Sequence, residues 1–140
     1  MTTREFLTQG RRIESGIHAR LSELERLRSL AARTTRNLSQ APSHGVSSGR
    51  GAIETAVLRI TELETEIISE LDALFETKDA IRDAINRLPR PKERIAMQLY
   101  YLSGYDWKAV AEQMHYSERQ LYRLHGNALE KLEKMSPNVT

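Results

Sequence analysis

Six apolar residues recur at strict seven-residue intervals: Ile53, Ile60, Ile67, Leu74, Ile81 and Leu88. Such a repeat keeps one apolar stripe on one side of an α-helix and draws a coiled-coil seam along it. Ala56, Val57, Leu63, Leu71, Ala84 and Ile85 widen the stripe. The pattern predicts a helix from about residue 52 to residue 88. A seam of that length has to be covered by a partner.

The preceding segment offers one. Phe6, Ile13, Ile17, Leu21, Leu24, Leu27, Ala31 and Leu38 follow helical spacing, and Thr2 with Glu5 has the spacing of a capping box. Gly10 and Gly16 weaken the first turns, so the firm part of this helix is expected from about Ile17. Between the two helices, residues 37–51 read NLSQAPSHGVSSGRG, a composition that predicts a flexible loop. Lys and Arg stand at 9 against 4 Asp and Glu over residues 1–52, and at 4 against 9 over residues 53–88. Two helices charged in opposite senses attract each other more than they attract their own copies. Residues 1–88 are therefore expected to form a long antiparallel coiled-coil hairpin. A single pair buries little, which makes a second copy, closing a four-helix bundle, a candidate homodimer partner.

Leu88-Pro89-Arg90-Pro91 ends the seam, because proline removes a backbone donor and pushes the residue before it toward extended geometry. Residues 89–140 then read as a second domain of three short helices. The first runs from Lys92 to Leu102, with Ile95, Leu99 and Leu102 on one face and Gly104 placed to stop it. Asp106 can cap the second, Trp107 to Met114, which turns Trp107, Val110, Ala111 and Met114 inward. His115-Tyr116 makes a tight turn. Ser117 and Gln120 form a capping box for the third, which buries Leu121, Leu124, Ala128 and Leu132. Two helices joined by so short a turn fit a helix-turn-helix.

The stretch RIAMQLYYLSGYDWKAVAEQMHYSERQLYRLHGNALEKL resembles region 4 of the sigma-70 family, the part of those proteins that reads a promoter element. The Arg94 to Leu102 helix, Ala109 and Ala111 in the scaffold helix, Ser117 at the cap and the closing Ala128-Leu129-Glu130-Lys131-Leu132 carry the likeness. The layout of two heptad helices, Leu-Pro and this block is similar to small phage and prophage regulators. The resemblance implies an all-α chain that binds double-stranded DNA and regulates transcription, with RNA polymerase as a second partner. It implies the cytoplasm of a bacterial host as its location. The family turn usually carries Gly where this chain has His115, and its recognition helix is often richer in Arg and Lys. Here Glu118, Tyr122, His125 and Asn127 are expected at exposed positions, so a different DNA sequence would be read. Upstream sigma regions that melt DNA have no counterpart, and a complete sigma factor is not expected.

A recognition helix over about residues 117–132 would present Glu118, Arg119, Gln120, Tyr122, Arg123 and Asn127 outward or to the side. Arg can bond guanine twice, Gln or Asn can bond adenine twice, and Glu can accept from cytosine. Arg119 and Arg123 lead this set; Gln120 follows, since it cannot fully serve as cap and as base reader. Lys108, Lys131 and Arg94 are candidate phosphate contacts. The bland reading of Arg119 and Arg123 is a solvated face, and most of the tyrosines suit the edges of small cores. Cysteine is absent and His115 and His125 lie ten apart, so no metal is expected. No nucleophile with its base and no phosphate-binding glycine loop is present, so neither an enzyme nor a cofactor or small-molecule substrate is expected. No apolar run is long enough to span a bilayer. Two alternatives use the same residues: a small terminase-like packaging component, and a protein interaction module without DNA binding. The second is kept open by the modest balance of 8 cations to 6 anions over residues 89–140.

Overall fold

A computed structural model describes the fold of residues 1–40 and 46–135 and the side chains of residues 1–37 and 51–135. The described residues are mostly helical, with no strand among them. Helix α1 is Thr3–Gln40 and α2 is Val46–Asn86. Next come α3, Pro91–Met97, a π-helical turn over Gln98–Leu102, α4, Trp107–Met114, and α5, Glu118–Met135.

Both long helices extend further than their composition suggests. Helix α1 starts at Thr3, well before Ile17, and the capping box closes in both directions. Thr2 N donates to Glu5 Oε2 at 3.0 Å, and Glu5 N donates to Thr2 Oγ1 at 3.1 Å. Residues 37–40 and 46–51 of the expected loop are helical; residues 41–45 lie outside the described ones. Serine and glycine cost under about 1 kcal/mol each in a helix. Extension of an existing helix adds a hydrogen bond for every residue it fixes, which offsets that cost.

The chain divides into two compact units, Met1–Glu14 with Ala73–Thr140, and Ser15–Asp72. The Ser15–Asp72 unit is a pair of helical segments. Ile17 and Leu24 of α1 and Leu63 and Ile67 of α2 are buried, flanked by half-buried Leu27, Ala31, Ile53, Ala56 and Ile60. Arg20 pairs with Glu66 at 3.3 Å and Glu70 at 2.7 Å, Arg28 with Glu64 at 3.6 Å, and Glu23 with Arg59 at 3.4 Å. Arg20 reaches Glu66 and Glu70, while the later Glu23 and Arg28 reach the earlier Arg59 and Glu64, so the segments run antiparallel. The pairs of Arg20 and Arg28 set cations of α1 against carboxylates of α2, as the charge counts anticipate, while Glu23–Arg59 runs the other way. Leu21 and Val57, expected in the stripe, are instead exposed, because they sit on the flank of the pair.

The other unit draws on both ends of the chain. Leu7, fully buried, packs in one cluster with Ile81, Ile85, Leu88, Met97, Tyr101, Ala128 and Leu132. A second cluster joins Ala96, Val110, Ala111 and Leu121, with Leu99, Tyr100, Trp107, Met114 and Leu124 against it. Helix α3 lies between the two clusters and buries Ala96 and Met97. Ile95, expected inward, is therefore 47% exposed. A seven-residue helix carrying apolar side chains on several sides leaves its inward face to the tertiary packing. The Leu-Pro-Arg-Pro joint behaves as its prolines dictate. Arg90 is extended at φ −93°, ψ 124°, and Pro91 opens α3.

Candidate nucleic-acid interface

Helix α4 begins at Asp106, whose carboxylate accepts from Ala109 N at 2.8 Å. Gly104, at φ +81°, stops the preceding turn in the left-handed region that glycine enters freely. Helix α4 ends at His115, at φ 59°, ψ 42°, in left-handed geometry usually given to glycine. The chain reverses there and α5 starts with its capping box formed. Ser117 N donates to Gln120 Oε1 at 2.9 Å, and Gln120 N donates to Ser117 Oγ at 3.1 Å. The Ser117 hydroxyl also lies 3.2 Å from Gln120 Oε1, so the amide oxygen of Gln120 is committed to the cap.

Leu121, His125, Ala128 and Leu132 turn α5 into the core. Glu118, Arg119, Gln120, Tyr122, Arg123 and Asn127 are all exposed, and they fall into two flanks. Gln120, Arg123 and Asn127 line a groove of about 480 Å³ together with Arg90, Pro91, Lys92, Glu93 and Leu124. Tyr122, 54% exposed, lies on the other flank with its ring edge-on to Trp107 at 6.4 Å. Arg119 stands on the outermost side. Lys108, the second residue of α4, is exposed as well.

The remaining two expected contacts are engaged within the fold. Lys131 Nζ bonds Glu93 Oε1 at 2.6 Å, and Arg94 Nη1 donates to the Leu88 carbonyl at 2.6 Å. Arg90 and Lys92 were not singled out from the sequence. They reach the groove only because the start of α3 packs beside α5, which no local pattern announces. The side chains of Arg90, Lys108, Arg119 and Arg123 have no hydrogen-bond or ion-pair partner among the described residues. Lys92 lies over the Tyr116 ring at 5.6 Å.

His125 is a correction. Expected at the surface, it is 8% exposed, and its Nε2 lies 2.6 Å from the Tyr101 hydroxyl. Burial, assisted by the charge of Arg4, lowers its pKa to about 4, while burial raises that of Tyr101. Both groups are therefore neutral near pH 7, and the phenol, the better donor, is assigned as donating to Nε2. The sequence carried a signal: His125 follows Leu121 by four and sits on the buried stripe. Trp107, expected in the core, is half-buried and stacks on Tyr100 with centroids 4.1 Å apart and planes 9° from parallel.

Among the described residues no group of three or more His, Cys, Asp or Glu is placed to hold a metal ion, and no helix is long and apolar enough to cross a membrane. Residues 78–132 match the family model for sigma-70, region 4. No curated protein and no solved structure matches the chain. Residues 78–132 are thus similar to sigma-70 region 4, a helix-turn-helix kind of domain that binds DNA.

Proposed function

We propose that this sigma-70 region 4-like segment binds double-stranded DNA with sequence preference, with α5 in the major groove as recognition helix. The observation that carries the reading is the set of cations around α5 that form no ion pair with a described residue. Arg119 and Arg123 are exposed on the helix itself; Arg90, Lys92 and Lys108 flank it. Arg119 and Arg123 read base edges, with Asn127 and the amide nitrogen of Gln120 beside them. Glu118 and Tyr122 border the other flank. Lys108, Arg90 and Lys92 fit phosphates, which position the helix without specifying sequence. Lys131 and Arg94 act first on the fold, through Glu93 and the Leu88 carbonyl, and contribute to DNA contact through their charge alone.

The regulator would be of the phage and prophage type, with the Ser15–Asp72 helical pair available to RNA polymerase or to a second copy. Exposed Leu21, Leu30, Val57, Leu58 and Ile68 on that pair support a protein partner there.

Selection of bound sites from random duplex DNA tests the reading. A consensus should emerge. Arg119→Ala should cost about 1–3 kcal/mol on it and relax preference at one position. Lys108→Ala should weaken all duplexes alike and reduce the salt slope by about one. No enrichment, or equal affinity for all duplexes, overturns sequence-specific reading by α5.

A further inference from the structure

The π-helical turn that follows α3 is braced from outside the helix-turn-helix. A π-turn widens the helix and disturbs the ordinary carbonyl partners. Arg11 of α1 meets two of the carbonyls near it. Its Nη1 donates to the Tyr100 carbonyl at 2.7 Å and reaches the Tyr105 carbonyl at 3.5 Å. Lys78 of α2 donates to the Leu102 carbonyl at 3.0 Å. The Arg11 guanidinium also lies 4.3 Å from the centroid of the Tyr100 ring. Trp107 is stacked on that ring at 4.1 Å, so the guanidinium takes the opposite face. Guanidinium, phenol and indole form a three-layer stack.

That stack ends on α5. Trp107, the first residue of α4, lies 4.6 Å from His125 and edge-on to Tyr122. Contacts thus run from Arg11 through Tyr100 and Trp107 to two residues of α5, one buried and one exposed beside Arg119 and Arg123. A cation over an aromatic face is held electrostatically, and it gains strength when partly desolvated, as half-buried Arg11 is.

We propose that Arg11 is a positioning residue for the recognition helix. It fixes the Tyr100–Trp107 stack, and through Trp107 it sets the rotamer of Tyr122 and the seating of the first turns of α5. Its charge is spent on carbonyls and a ring face, so it raises DNA affinity without touching DNA. This role rests on the DNA-binding reading above. It places the control of α5 in a stretch of chain far from residues 78–132, where the family match lies.

The test uses the full chain and exploits Trp107 as its single tryptophan. In the absence of DNA, Arg11→Leu should shift Trp107 emission to the red and weaken its near-ultraviolet dichroism while helix content is kept. Tyr100→Leu should do the same, whereas Tyr100→Phe, which keeps the ring, should leave emission unchanged. With the selected duplex, Arg11→Leu should bind about tenfold more weakly with an unchanged salt slope. Arg11→Lys keeps a cation over the ring but loses the fork, and should recover part of both signals. It also serves as the milder variant should Arg11→Leu unfold. Emission unmoved by Arg11→Leu and Arg11→Lys overturns the proposal, as does unchanged affinity despite a shifted emission. A salt slope lowered by about one would make Arg11 a phosphate contact instead. If the wild type enriches no duplex, the DNA-binding reading fails. If it enriches one and the Arg11 variants bind as well, only the positioning role fails.

Discussion

His125 shows how one residue can tie stability to pH. Folded, it takes up a proton only near about pH 4; unfolded, it does so near its ordinary 6.5. Between those values the unfolded chain binds more proton, so acid favours unfolding. The contribution is whole above pH 6.5 and falls away as the pH drops toward 4. It amounts to about 2 kcal/mol lost by about pH 5. Arg4 works in the same direction, since a second positive charge near the imidazole disfavours its protonation. His125→Gln can still accept from the Tyr101 hydroxyl but does not titrate. Thermal melts from about pH 7 to about pH 5 should show a clear loss for the wild type and a flatter profile for His125→Gln. Equal pH dependence in the two would remove His125 as the cause. At this scale legibility was uneven. Asp106, Gly104 and the Ser117–Gln120 pair announce their roles because caps and left-handed stops depend on neighbours in the chain. His125 reads as a surface residue by chemical type, but its place four residues after Leu121 puts it on the buried stripe. Arg90 and Lys92 were hidden because their groove is made by two helices distant in sequence.

At the scale of elements, α3 and α5 are joined by an ion pair that is unequal in exposure. Glu93 is 2% exposed, its Oε1 bonded to Lys131 and its Oε2 buried without a partner among the described residues. Placement in the first turn of α3 helps hold the charge, because the positive end of a helix dipole favours an anion. Removing the cation leaves a buried carboxylate uncompensated. Lys131→Met should therefore destabilise the domain by about 3–5 kcal/mol. Glu93→Met together with Lys131→Met should cost much less, because both charges leave with their desolvation penalty. Urea unfolding of the two single variants and the double variant measures the coupling. Additive losses would mean that the pair does not join α3 to α5. Element identity was readable from periodicity and caps. The π-turn was not, since Arg11 and Lys78, which meet its carbonyls, lie far from it in the sequence. The inward face of α3 was not either, because the packing on both sides of Met97 decides it.

For the whole molecule, the reading of an all-helical chain held because heptad spacing and caps are local signals, strong over long helices. The division into units was less legible. Sequence alone places a boundary at Leu88-Pro89, where the chain changes direction, but compact packing follows contacts and not chain direction. Ile81, Ile85 and Leu88 pack with Met97, Tyr101, Ala128 and Leu132, and fully buried Leu7 joins them from the other end of the sequence. At Gly10, α1 lies within reach of this packing: a Cβ added there would sit at ordinary contact distances, 3.6 Å from Ile81 Cδ1 and 3.8 Å from the Tyr101 carbonyl. The first fourteen residues are therefore part of the unit that holds the helix-turn-helix. Loss of a buried leucine costs about 2–5 kcal/mol, and loss of a charged donor to a carbonyl adds about 1.5–3 kcal/mol. Those sums approach the total stability of a small domain, about 5–15 kcal/mol. A chain begun at residue 15 should therefore melt far below the full chain, with Trp107 emission red-shifted before helix content falls. The order follows from what is removed: Arg11 and Leu7 leave the Tyr100–Tyr101 side of the unit, while the hydrogen bonds inside α4 and α5 are untouched. Coincident melting of the shortened and full chains, followed by Trp107 fluorescence, would show that the helix-turn-helix stands without its N-terminal segment.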